Sequence, residues 1–276
     1  MVYKPLNKTQ LQFSINDWLN ETIDANTVIE NDPQHAGAGT GPFGHISTWD
    51  TSLITDMSHL FRNKPQYTQG QGGVDQRPKW PEVQRAIGNW ETSNVTNMTW
   101  IFAGAQSIST DISGIAYWDV GKVTNMEAAF YQAQFDYWPE LGRWNVGKVT
   151  NMKAMFNQTG NFNKYIGDWD TRNVVTMRTM FASVLYFNQD IGKWDTGKVK
   201  SMYGMFSNSS YFNQDIGRWN TKNVTDMAGM FYNATSFNQN LGQWNIESVI
   251  NMNFIFSQWD FRTSRNVVLV SLSNHQ

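Results

Sequence analysis

Apolar and aromatic residues return along this chain in a fixed frame. Trp49, Trp90, Trp118, Trp144, Trp169, Trp194, Trp219 and Trp244 are separated by 41, 28 and 26 residues at the start and by 25 thereafter. Eight positions after each stands a methionine (Met57, Met98, Met126, Met152, Met177, Met202, Met227, Met252), and twelve after each a phenylalanine, from Phe61 to Phe256. The fifth position is Ile54 or a valine, from Val95 through Val249. The unit reads Trp-[Asp/Asn]-Thr-x-x-Val-Thr-x-Met-x-x-Met-Phe, and the central units add Phe162, Phe187, Phe212 and Phe237, each followed by Asn, before closing on a pair such as Ile191-Gly192. Self-similarity at this period is the signature of a stacked array, in which no unit can bury its apolar face alone.

The pattern predicts an α/β solenoid of about eight coils, each a short parallel strand plus a short helical turn. Val-Thr-Asn-Met is short and β-branched, which suits a strand stacked on its counterpart in the next coil. Met152, Met155 and Phe156 fall at i, i+3 and i+4, one face of a helical turn. Gly167, before Trp169, is expected to supply a positive φ where the chain returns. With rungs roughly 4.8 Å apart, eight coils would make a rod on the order of 40 Å long.

Three segments follow from the frame: a helical cap over 1–45, the repeats over 46–256, and a carboxyl-terminal cap strand over 257–276. Leu11, Ile15, Trp18 and Leu19 recur at helical spacing, and Ser14 is a candidate to cap that helix. The first unit carries an inserted loop at about 66–81, with Gly70, Gly72, Gly73 and Pro78. Val267, Val268, Leu269, Val270 and Leu272 form a strand-like run that could seal the last coil or pair with another chain.

Trp194-Asp195-Thr196-Gly197-Lys198-Val199, with Met202, Met205-Phe206 and Phe212-Asn213-Gln214-Asp215-Ile216-Gly217, closely resembles the BspA-type leucine-rich-repeat surface proteins. The likeness is greatest to their methionine-rich branch, found in mycoplasma and listeria lipoproteins, marine algae and large algal viruses, and covers roughly residues 44 to 256. The resemblance implies a right-handed, leucine-rich-repeat-like array, a role in surface attachment or protein contact, and no enzymatic activity.

Composition narrows the classes. A formal net charge of -2 gives no global field to attract nucleic acid. No apolar run is long enough to span a bilayer, and with Cys at 0 neither disulfides nor thiolate metal sites can form. The expected location is the cell surface or the extracellular space, with a virion as the alternative, and because Met1-Val2-Tyr3-Lys4-Pro5-Leu6 lack the apolar core of a secretory signal, a surface protein would need another export route or an unseen leader. His35, His45, His59 and His275 belong to no repeat-wide acid and base constellation, and Glu82 and Asp75 have no evident partner, so no active site, cofactor or metal is expected.

The function expected is a non-catalytic protein-interaction or adhesion module, with a structural assembly subunit binding other copies or a shell protein, or a carbohydrate-binding protein, as alternatives. Each repeating column has two readings. The Trp row could stack sugars or nucleobases, or serve as an internal ladder. Asp119, Asn145, Asp170, Asp195, Asn220 and Asn245, with Asp190, Asp215 and Asn240, could hold calcium or cap local turns. Thr55, Thr96, Thr124, Thr150 and Thr225 could face an ordered surface such as ice, or plain solvent; Lys122, Lys148 and Lys198 make a modest basic stripe. Asn94, Asn97 and Asn223 lie in glycosylation sequons that the repeat itself generates. Specificity is cheapest to encode where a repeat is interrupted. The expected contact residues are therefore Tyr67, Arg77, Lys79 and Trp80 in the inserted loop, and Val268 and Val270 in the final run.

Overall fold

In the computed structural model, which describes residues 2–20, 46–63, 86–107 and 112–256, the seventh residue after each Trp forms a parallel bridge with its counterpart in the next repeat. The bridges run Asp56 to Asn97, Asn125, Asn151, Thr176, Ser201, Asp226 and Asn251 in unbroken succession. Parallel pairing is therefore present, but the expected strand shrinks to a single residue pair per step. One residue earlier a second line of bonds runs alongside, with Thr124 N–H donating to Thr96, Thr150 to Thr124, Val175 to Thr150 and Lys200 to Val175.

The expected helical turn is absent, and a different device takes its place. The residue two after each Met lies in the left-handed region in all eight repeats: His59, Trp100, Ala128, Ala154, Thr179, Gly204, Gly229 and Phe254. The residue six after each Met does so again, from Asn63 to Asn233. A left-handed residue cannot continue a right-handed helix. The N–H groups then alternate. Those of Met152, Ala154, Phe156 and Gln158 donate to Thr176, Arg178, Met180 and Ala182 of the next repeat, while those of Met155, Asn157 and Thr159 donate three residues back. Lys153 N–H, the one left over, donates to the Asn151 side chain. Every backbone donor from 152 to 159 is thus bonded, as a buried backbone requires.

Met152, Met155 and Phe156 still reach one core, because the alternation turns them inward as a helical turn would have done, and all three have 0% exposure. Above and below, the Phe rings stack in a column, with Phe156, Phe181, Phe206 and Phe231 at 5.7 Å between successive centroids. Phe162, Phe187, Phe212 and Phe237 form a parallel column at 5.8 to 6.1 Å. Each pair of stacked rings adds about 0.5–1.5 kcal/mol beyond its burial.

Glycine closes the repeat for a reason other than the one its sequence position suggests. Gly167 has no positive φ; positive-φ glycines are Gly104, Gly204 and Gly229 among the described residues. A Cβ on Gly167 would overlap the Asp190 carbonyl oxygen, and on Gly192 or Gly217 would lie 2.5 Å from the Asp215 or Asn240 oxygen. The side chain is missing so that the next repeat can approach.

One helix, α1 (Lys8–Asn20), covers the first repeat. Leu11 and Ile15 enter the core, Gln12 Nε2 donates to the Leu60 carbonyl, and Lys4 pairs with Asp50 at 2.8 Å. Its cap is Asn7, whose Oδ1 accepts the Gln10 N–H. Ser14 is not the cap: it lies inside the helix, donating to the Gln10 carbonyl and bonded to the Tyr3 hydroxyl. Trp18 and Leu19 fall in the last turn of α1. Two strands of two residues, β1 (Gln106–Ser107) and β2 (Gln134–Phe135), pair in parallel, and short 3-10 turns such as Leu141–Arg143 precede several tryptophans. The remainder is a repetitive fold with little regular secondary structure.

Candidate interaction surface

The columns that recur in every repeat are spent inside the molecule. From Trp90 onward each indole N–H donates to the carbonyl three residues before the preceding Trp, as in Trp194 to Ile166 at 3.0 Å and Trp219 to Ile191 at 3.1 Å. Successive indoles stack within 2–6° of parallel from Trp169 to Trp244. With exposures of 2–5%, none of the described tryptophans of the frame offers a face to a ligand, so the row is an internal ladder. Thr171, Thr196 and Thr221, buried beside it, donate to the carbonyls of Asp195, Asn220 and Asn245.

The Asp and Asn columns make local turns. Asp119 Oδ1 accepts the Gly121 N–H, Asp195 that of Gly197, and Asp190 and Asp215 those of Gly192 and Gly217. A third such column, at the bridge position itself, gives no hint of its role in the sequence: Asn97, Asn125, Asn151 and Asp226 each cap the N–H two residues on. Asn94 and Asn223 donate to the Ser52 and Gly197 carbonyls of the preceding repeat, so the sequon amides also have structural work. Lys122 and Lys198 donate to Asn94 and Asn173. The threonine column faces solvent, its hydroxyls turned back onto the carbonyl of the column's preceding member, as in Thr124 to Thr96 and Thr150 to Thr124.

Two outward zones remain. The first lies over the alternating segment. There Lys153 pairs with Glu127 at 2.8 Å, and Arg178 covers the Tyr203 ring at 4.1 Å. Burial would raise the Glu127 carboxyl, but hydrogen bonds from Lys153 and Asn151 outweigh it and hold it below its ordinary value. At the α1 end His59 stacks parallel to Trp100, with Arg62 over the same indole at 4.6 Å. Burial first, and then the charges of Lys8 and Arg62, push the His59 imidazole below its usual range. These groups largely satisfy one another.

The second zone is the return segment between the inward Phe column and the next Trp. Tyr117, Tyr137, Tyr165, Tyr186 and Tyr211 are exposed here by 43–72%. Tyr186 and Tyr211 stand beside each other with ring centroids 5.3 Å apart. Arg143 lies over the Tyr117 ring. Tyr165 donates its hydroxyl to Asp168 at 2.9 Å, a bond that raises the phenol above its ordinary value. Between the tyrosines runs a row of amides: Asn188, Asn213 and Asn238 N–H donate to the Oδ1 of Asn163, Asn188 and Asn213. Gln189, Gln214 and Gln239 donate to the same oxygens. A sequence signal for this zone did exist. Phe187 and Phe212 repeat and point inward, so alternation alone sends Tyr186, Asn188, Tyr211 and Asn213 outward.

Tyr67, Arg77, Lys79 and Trp80, and likewise Val268 and Val270, lie outside the described residues, as do the loop at 66–81 and the run at 257–276. Among the described residues no group of three acidic or histidine side chains could hold a metal ion.

A profile of the family described as "Mycoplasma protein of unknown function, DUF285" matches residues 36–164, 133–227 and 159–266, more than half of the chain. The second and third matches begin about one repeat apart, as expected of a profile that can slip along an array by whole units. No curated protein matches the chain, and no solved structure does.

Proposed function

We propose that this chain, which belongs to the DUF285 repeat family, is a non-catalytic solenoid that acts as an interaction or adhesion module at a cell surface or on a virus particle. The repeat resemblance to BspA-type surface proteins supports the right-handed, leucine-rich-repeat-like reading of the array. One observation carries the functional reading. The residues that recur along the repeats are used up in indole, threonine and Asx bonds within the molecule, whereas the exposed tyrosines of the return segment gain nothing for the core. A solvent-facing tyrosine supplies a large, rigid, amphipathic contact area at low entropic cost, which is the property binding surfaces select.

The test uses the full chain, immobilised and exposed to intact cells and to surface extracts. Retention of a macromolecule by the native chain, reduced at least tenfold when Tyr165, Tyr186 and Tyr211 are all replaced by Ala, is the expected result. Failure to retain any macromolecule, or retention indifferent to these tyrosines, would overturn the proposal.

A further inference from the structure

The chemistry of the return segment is periodic, and that limits what it can recognise. Asn163, Asn188, Asn213 and Asn238 repeat at one residue per rung, with rungs about 4.8 Å apart. Their Oδ1 atoms accept from the neighbouring repeat where a later Asn follows. Their Nδ2 groups have no acceptor among the described residues, and Asn163, Asn188 and Asn238 are exposed. The row therefore presents equivalent N–H donors at equal steps. Beside it, two residues earlier in their repeats, stand Tyr186 and Tyr211, and two residues later in its own repeat stands Tyr165. A polar strip flanked by aromatic rings results.

Charge along the strip nearly cancels. Lys164, Lys193 and Arg218 stand in the same return segments as Asp168, Asp190 and Asp215, three of each sign, and Lys164 pairs with Glu140 of the preceding repeat. Asp190 and Asp215 are further occupied by the N–H groups of Gly192 and Gly217. Nothing there selects a polyanion or a polycation.

Resting on the interaction reading above, we infer that this strip is the binding site of a neutral, linear polysaccharide. A folded protein partner presents a non-repeating surface and would gain little from equivalent donors at equal steps. A polysaccharide advances along its axis by a distance comparable to one rung, and offers at each step the hydroxyl acceptors that amide N–H groups require. Its C–H faces suit tyrosine rings. The nearly cancelled charge matches an uncharged polymer.

The experiment presents the full chain to immobilised neutral linear glycans (a β-glucan, a xylan and chitin oligosaccharides of increasing length) and, in parallel, to heparin and alginate. Binding to at least one neutral polymer is expected, with affinity rising from disaccharide to about four sugar units, the span of the four-residue row at one sugar per rung, and then levelling. Replacing Tyr186 and Tyr211 by Ala should weaken it at least tenfold with an unchanged melting temperature, whereas Tyr186→Phe with Tyr211→Phe, which keeps the rings, should retain it. Tyr203→Ala, over the other outward zone, should leave it unchanged. Binding to the charged polymers alone, no dependence on glycan length, or indifference to the Tyr186 and Tyr211 variants would each overturn the inference. If only a protein is retained, through these same tyrosines, this inference falls and the interaction reading stands; if nothing is retained, both fall.

Discussion

The two outward segments of one repeat solve the same problem by opposite means. Between the repeats that begin at Trp169 and Trp194, the alternating segment contributes four backbone bonds, from Met177, Thr179, Phe181 and Ser183 to Ser201, Tyr203, Met205 and Ser207. The return segment contributes one, from Tyr211 to Leu185. There the stacking of Phe187 on Phe212 and the Asn188 to Asn213 amide link do the joining. Where the backbone holds, outward side chains are free to differ, as Glu127, Lys153, Arg178 and Tyr203 do in one column. Where it does not, side chains must repeat, and Phe-Asn-Gln does so from Phe187 onward.

The contrast also places the irregularities. Each of the first three repeats keeps its alternating segment in register with the next, so the extra residues behind the spacings of 41, 28 and 26 come after that segment in the sequence. In two of those repeats the pairing of β1 with β2, and the edge-on packing of Trp138 against Phe135 and Phe162, replace the amide row.

The largest expected effect comes from the shared interior. Phe181 packs on Phe156, Phe206 and Phe187, and Phe181→Ala should cost roughly 3–5 kcal/mol in denaturant unfolding. A loss under about 1 kcal/mol would mean that the column is not the common support of the two segments. Next is the close approach in the return segment. Gly217→Ala places a methyl 2.5 Å from the Asn240 carbonyl oxygen and should destabilise by about 1–3 kcal/mol. The same change at Gly160, which has nothing within 4 Å, should be nearly silent. If both cost alike, glycine is needed for flexibility and not for contact.

A smaller effect, of opposite sign, is expected in the alternating segment. Thr179 is β-branched and left-handed at φ 51°. Thr179→Gly should relieve about 1 kcal/mol of backbone strain, offset in part by the entropy of a new glycine. A modest rise in melting temperature is the expected result, and a fall would mean that its side chain stabilises the ladder more than its backbone strains it.

The smallest concerns α1. The Asp50 carboxyl sits at about 2, below its usual 3.8, because Lys4 and then Ser52 hydrogen-bond to its charged form. A value depressed on folding stabilises above the unfolded pKa, so this contribution is lost as pH falls from 3.8 through about 2. The pair is partly solvated, so the effect is small. Amide exchange of α1 should quicken over that window in the native chain, and less so in Asp50→Asn.

The repeat frame, the buried columns and the helix over 8–20 were legible in the sequence because burial forces identity at fixed spacing. The path of the backbone was not. Met152, Met155 and Phe156 carry a helical spacing, yet the left-handed position between them is filled by Ala, Thr, Trp or Phe as well as by Gly, so no residue type announces it. Gly167 carries the complementary ambiguity: a glycine needed for the approach of Asp190 looks, in one dimension, like a glycine needed for φ. The tyrosine and amide strip was visible as an alternation, but its meaning depends on knowing that Phe187 and Phe212 point inward.

The tryptophan row has an optical consequence. Trp169, Trp194, Trp219 and Trp244 stand 6.2 to 6.4 Å apart with nearly parallel rings, close enough for an absorbed photon to pass from one indole to the next before it is emitted. Excitation at any rung is then shared along the stack. A quencher placed beside one repeat should dim its neighbours as well. The interior of this protein is an antenna, and its native fluorescence can report an event at one rung from several rungs away.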